Sequence, residues 1–148
     1  MKHLIALLLL STVAYADEGQ SYTCDFVKVT DGDTIKVNCP QFPEMFRDLS
    51  VRIKGIDTPE SRMPPALCEK EMRLGLIAKG YFRQQFEGAK TVTFKWAGEK
   101  DKYGGRVLGS VAMPDGSDWA ENAIKRDLAR PYGLDGSLTK SDWCGDLP

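Results

Sequence analysis

The sequence predicts an α+β domain of five strands and two to three helices, and three observations predict it. β-Branched and aromatic residues alternate in short runs bounded by turn residues. One stretch, 67–86, spaces its apolar residues for a helix rather than a strand. Near the end, Asp118 followed three residues later by Glu121 forms a capping pair for a second helix.

The elements follow in order. Residues 24–30 and 34–38 flank an Asp31-Gly32 turn signal and read as a hairpin. Residues 49–56 form a third strand, with Val51 and Ile53 on one face and Arg52 and Lys54 on the other. The helix over 67–86 presents Leu67, Leu74, Ile77, Ala78, Tyr81, Phe82 and Phe86 as its core stripe. Val92, Phe94 and Trp96 alternate in a fourth strand, and 107–113 makes a fifth before the turn Pro114-Asp115-Gly116. The second helix runs to about Asp127, and a short helix is expected near 138–143. Five strands interleaved with helices can close into a small barrel, a count that matches the oligonucleotide-binding type.

Ahead of the first strand, Lys2, the apolar run Leu4 to Leu10 and Ala14-Tyr15-Ala16 have the form of a secretory signal peptide. The expected division is therefore a leader over 1–16 and one domain over 17–148 with a disulfide-tied C-terminal tail. The apolar run is too short to span a bilayer, so no membrane association is expected after cleavage. Export to the periplasm or the extracellular medium follows. The only histidine, His3, lies in this leader.

The cysteines agree with export. Four of them, Cys24, Cys39, Cys68 and Cys144, lie beyond the leader, and an even number in a small exported domain favours disulfides. Cys24 and Cys39 lie symmetrically about the hairpin turn and are expected to pair across it, which leaves Cys68 with Cys144. The competing zinc reading lacks both a CxxC spacing and a histidine beyond the leader. The formal net charge of −1 excludes a broadly basic nucleic-acid binder, so capture of any polyanion must be local.

Two acidic clusters carry the candidate chemistry, Asp31-Gly32-Asp33-Thr34 and Asp57-Thr58-Pro59-Glu60, with Arg52 just upstream of the second. Carboxylates suit hard, oxygen-seeking cations, and an arginine fork suits a phosphodiester. Asp31 reads as a turn residue. With no histidine left, Glu60 is the natural candidate for a base. From Arg52 to Asp57 an extended chain covers roughly 16 Å, so the backbone must bend there for both to serve one site. Trp96, Trp119 and Trp143 read as core or tail packing rather than a platform for bases.

Three blocks in order, Val29-Thr30-Asp31-Gly32-Asp33-Thr34, Val51 through Glu60, and Asp101-Lys102-Tyr103-Gly104-Gly105-Arg106-Val107-Leu108-Gly109, resemble the signatures of the staphylococcal nuclease (thermonuclease) family. The resemblance spans about 24–132. It implies an oligonucleotide-binding barrel decorated by helices and a phosphodiesterase that uses one Ca2+ to cut DNA and RNA, here expected to act as a monomer. By the same resemblance Asp33 and Asp57 are calcium carboxylates, and Thr58 supplies a backbone carbonyl. Glu60 activates or positions water, and Arg52 and Arg106 hold the scissile phosphate. Lys102 and Tyr103 match contacts to a terminal phosphate, and Tyr132 is a candidate contact to base or sugar.

The chain departs from the family pattern in an extra glycine at Gly104-Gly105 and in a tail that carries Cys144 instead of a longer basic helix. The rival expectation is a non-catalytic exported barrel that binds nucleic acid or protein. A retired site would have lost at least one of Asp33, Arg52, Asp57, Glu60 or Arg106, and all five are present. A structural or inhibitor-like domain is the third possibility, and it makes that set accidental.

Overall fold

A two-residue reversal at Gly32 and Asp33 folds the first long strand back on itself and sets the register of everything that follows. The structure is a computed structural model, and it describes residues 19–100, 105–133 and 139–145. The leader 1–16, with His3, and the pair Lys102 and Tyr103 lie outside the described residues.

Strand β1 (Ser21–Asp31) pairs antiparallel with β2 (Thr34–Asn38), Asp31 opposite Thr34. Strand β3 (Asp48–Ile53) continues the sheet on β2, with Thr34 opposite Arg52. Strand β5 (Thr91–Lys100) pairs with β1 and with β6 (Arg106–Val111), and β6 runs parallel to β3. The order β1-β2-β3-β6-β5 thereby closes into a barrel, which leaves no open edge. Inward residues Val29, Ile35, Val37, Val51, Ile53, Val92, Phe94 and Val111 form its core.

The expected single strand over 49–56 is broken. β3 ends at Ile53, and the chain turns through Gly55 at φ 86°, a left-handed conformation that costs glycine little. It then resumes as β4 (Ile56–Asp57), which pairs with β7 (Arg130–Pro131) in a separate two-stranded sheet. This is the bend that the Arg52-to-Asp57 spacing demands.

Helix α1 spans Glu69–Gln85, two residues shorter at its start than the expected element. Cys68 caps it, its sulfur accepting from the Glu71 amide at 3.4 Å. The buried face is also rotated from the predicted stripe. Leu67 is 86% exposed and Ile77 59% exposed, whereas Glu71, Gly75, Ala78 and Phe82 are buried. Two long-range demands win over apolar periodicity: Glu71 receives backbone amides from the preceding loop, and Gly75 admits that loop's backbone.

Helix α2 (Trp119–Lys125) is capped by Asp118, whose carboxylate accepts the Glu121 amide at 3.0 Å. It stops short of Asp127, which takes φ 56°. Trp119 is fully buried, stacks on Phe82 at 4.1 Å and donates its indole N–H to the Gly32 carbonyl at 2.8 Å. The hairpin turn that carries Asp33 is thus held from behind by the core. No helix forms among the described residues 139–145, so the short helix expected near 138–143 is absent there. That segment runs irregularly, with Asp142 accepting the amides of Cys144 at 2.9 Å and Gly145 at 3.0 Å.

Disulfides join Cys24 to Cys39 and Cys68 to Cys144. The first bridges β1 and the end of the hairpin, and the second ties the tail to the start of α1. Among the described residues no helix is long and apolar enough to cross a membrane.

Candidate active site

Strand register assembles the first part of the site. Because Thr34 pairs with Arg52, Asp33 at the hairpin tip lies beside the Arg52 side chain and forms a salt bridge with it. Arg52 also donates to the Ile56 carbonyl at 3.2 Å, a bond made possible by the turn at Gly55. Asp33 accepts from the Thr34 hydroxyl at 2.8 Å and the Thr58 hydroxyl at 2.9 Å. Its side chain is 9% exposed and that of Arg52 14% exposed, so each charge leaves water against the other rather than alone.

Asp57 follows on β4 and is fully buried. Its Oδ2 accepts from the Ser141 amide at 3.0 Å and the Trp143 indole at 3.2 Å. A buried carboxylate requires such donors, and here the C-terminal tail provides them. The Arg130 guanidinium covers the Trp143 ring at 4.4 Å and donates to the Asp142 carbonyl at 3.1 Å, which holds the indole in place.

Glu60 lies on the loop beyond β4. Its backbone packs against Gly75, where an added Cβ would come within 2.7 Å of the Pro59 carbonyl oxygen. The Glu60 amide donates to Glu71 at 3.4 Å, and the next residue, Ser61, bonds Asp31. Asp31 therefore does more than end a strand, because it ties this loop to the hairpin. The Glu60 carboxylate is paired with Lys140 of the tail at 2.6 Å. Burial pulls the Lys140 ammonium down, but the hydrogen bond and charge of Glu60, with help from Asp57, outweigh it and raise Lys140 above the ordinary lysine value.

Arg106 opens β6 opposite Ser50, while Arg52 is opposite Leu108. The two arginines thus share an outward face on neighbouring strands, two ladder positions apart, with roughly 8 Å between their Cα atoms. The Tyr132 amide donates to the Gly55 carbonyl at 2.9 Å, and Tyr132 joins Arg52, Ile56 and Leu108 around a pocket of about 260 Å³.

The structure therefore brings Asp33, Arg52 and Thr58 into direct contact, links Asp57 to them through its neighbour Thr58, and sets Glu60 beside the tail. Sequence reasoning missed Glu71, Gly75, Lys140, Ser141 and Trp143. One signal pointed toward the last three: a Cys68–Cys144 bridge must bring the tail to the start of α1, next to the Glu60 loop. Among the described residues no three histidine, cysteine or acidic side chains are grouped to hold a metal by themselves. A cation here would rely on two carboxylates, a backbone carbonyl and oxygens from water or substrate.

A closed five-stranded barrel with two helices is an α+β fold of the oligonucleotide-binding type, and its acid and arginine residues gather at the hairpin tip and the β3–β4 bend. The family model for staphylococcal nuclease homologues matches residues 50–142. The chain belongs to that family. The match runs from β3 into the tail, so it takes in Arg52, Asp57, Glu60, Arg106 and Lys140. Comparison with curated proteins returned no match.

Proposed function

We propose that this protein is an exported, calcium-dependent nuclease that hydrolyses phosphodiester bonds in DNA and RNA with little sequence specificity. The observation that carries the reading is the bonded set Asp33, Arg52 and Thr58, with the buried Asp57 one residue away. Every candidate ligand there is an oxygen, and two are carboxylates shielded from solvent, which suits a hard cation. Bound calcium supplies Lewis-acid stabilisation of a phosphate oxygen and a template for the substrate.

The chain's own residues supply the rest. Asp33 and the Ile56 carbonyl orient Arg52 before substrate arrives, so its guanidinium needs no reorganisation as charge develops on the phosphate. Arg106 offers a second fork from the adjacent strand. Glu60 receives or directs the proton of the attacking water, with Lys140 anchoring one of its oxygens. Tyr132 lines the neighbouring pocket and is assigned to the nucleotide, and Lys102 and Tyr103 to a terminal phosphate. Export rests on the leader motif and is supported by two disulfides, which persist in oxidising compartments.

The test is hydrolysis of single- and double-stranded DNA and RNA by purified protein with calcium, with magnesium and with chelator. Calcium should support cutting, chelator should abolish it, and Glu60→Gln should lower kcat at least about 100-fold with the fold intact. Full activity in chelator sinks the metal-dependent reading. One observation favours a second reading, a non-catalytic binding barrel: tail donors already occupy Asp57 and Glu60. Nucleic-acid binding without hydrolysis in calcium would decide for it.

A further inference from the structure

A second cluster of charge lies outside this site. Lys28 and Thr30 of β1, Arg62 of the loop after Glu60, and Lys79 and Arg83 of α1 line a groove of about 350 Å³. Lys79 and Arg83 are four residues apart and share one helix face. Among the described residues Val29 completes the lining, so four cations and no acid line it there. None of the four forms an ion pair among the described residues, whereas Lys54 is paired with Glu99 and Lys140 with Glu60. The Thr30 hydroxyl is shielded from solvent and has no hydrogen-bond partner among the described residues. Like charges held together without direct ion pairs produce a local positive potential, which Glu87 of the adjoining groove, shared with Lys28 and Arg83, offsets only in part.

The groove adjoins the candidate active site. Asp31 and Ser61 bond across the gap between hairpin and loop. Thr30 and Arg62, the residues next to that contact, face the groove, while Asp33 and Glu60 lie within two residues of it on the other side. Along α1, Arg83 is eight residues from Gly75, against which Glu60 packs, a rise of roughly 12 Å. That distance corresponds to about three to four stacked nucleotide steps.

We propose that this groove binds the sugar-phosphate backbone of a nucleic-acid strand a few nucleotides from the bond to be cut. The identity of the polyanion rests on the nuclease reading. The groove would let a chain of net charge −1 grip a polyanion: four cations that form no ion pair among the described residues are concentrated in one place. Phosphate oxygens would meet Lys28, Arg62, Lys79 and Arg83. Because the contacts are to backbone, they carry no sequence preference.

The experiment is fluorescence anisotropy with a labelled single-stranded oligonucleotide across a range of salt, in chelator so that binding is read without cutting. Two triple variants with equal change in net charge are compared, K28Q/K79Q/R83Q in the groove and K90Q/K95Q/K125Q elsewhere. Loss of three phosphate contacts should lower the slope of log affinity against log salt by about 2, which amounts to roughly 100-fold weaker binding at about 0.1 M salt. The control triple should stay near wild type. Equal loss in both variants, or none in the groove variant, overturns the proposal, as does a wild type that binds no oligonucleotide. A wild type that binds through the groove yet fails to cut in calcium overturns the nuclease reading and leaves the groove standing.

Discussion

Gly75 and Gly80 lie in the same helix and should respond differently to the same substitution. Both are interior to α1, where replacing glycine with alanine ordinarily stabilises by about 0.8–1 kcal/mol because the backbone loses less entropy on folding. At Gly80 an added Cβ meets nothing within 4 Å, so G80A should show that gain in full. At Gly75 the Cβ would approach the Pro59 carbonyl oxygen to 2.7 Å and the Glu60 carbonyl more closely still. Those atoms are backbone and cannot swing aside as a flexible side chain would. The segment is further held by Glu71 on the Glu60 amide and by the Asp31–Ser61 bond. Overpacking of this kind costs about 1–3 kcal/mol, so after the propensity gain G75A should be between neutral and about 2 kcal/mol less stable than wild type, and about 1–3 kcal/mol less stable than G80A. Relief of the clash moves Glu60, and on the proposed nuclease role a displacement of about 1 Å there should cost on the order of 100-fold in rate. Urea unfolding of the oxidised proteins and nucleic-acid hydrolysis by each variant give the two readouts. A G75A midpoint equal to or above that of G80A, with activity retained, refutes the claim that Gly75 is there to seat the Glu60 loop.

Trp143→Phe removes one of two tail donors from the buried Asp57, which should cost about 1.5–3 kcal/mol in thermal unfolding. If Asp57 is a calcium ligand, as proposed, calcium affinity measured by calorimetry should fall about tenfold or more, because Trp143 would then orient a ligand without touching the ion. The C68S/C144S double variant opens a loop of sequence separation 76 and should lose about 4 kcal/mol by urea unfolding, with the tail becoming the first site of proteolysis. The Lys140–Glu60 pair carries a pH signature: Lys140 is raised above its ordinary 10.5, so its contribution is complete below 10.5 and is lost as pH rises through the higher folded value. Lys140 is more than half exposed, so solvent screening keeps that contribution under about 1 kcal/mol. The stability difference between wild type and K140Q should stay flat from neutral pH to 10.5 and vanish only at the alkaline end.

Much of the fold was legible because its signals are local. The turn residues at 31–33 announce the hairpin, β-branched alternation announces the barrel strands, and Asp118 with Glu121 announces α2. Helix α1 was legible as a helix but not in its buried face, because Glu71 and Gly75 are inside for the sake of a loop with which they share no periodicity. The break at Gly55 was implied by a distance, yet its form depended on β4 finding β7, more than seventy residues further along the chain. Each acidic candidate could be named from the acid–arginine pattern. What surrounds it could not.

The sequence by itself determined the set of residues: two acidic clusters, arginines in suitable strands, four cysteines and a barrel-forming pattern. Each of these is written in neighbours within a few positions, where turn chemistry and side-chain alternation act. Only the tertiary structure decided that Lys140 reaches Glu60 across 80 residues, and that Trp143 reaches Asp57 across 86. It also gathered Lys28, Arg62, Lys79 and Arg83 from a strand, a loop and a helix into one groove. Such meetings depend on the path of the whole backbone, set by barrel closure and by a disulfide that returns the tail to α1, and no local pattern encodes that path.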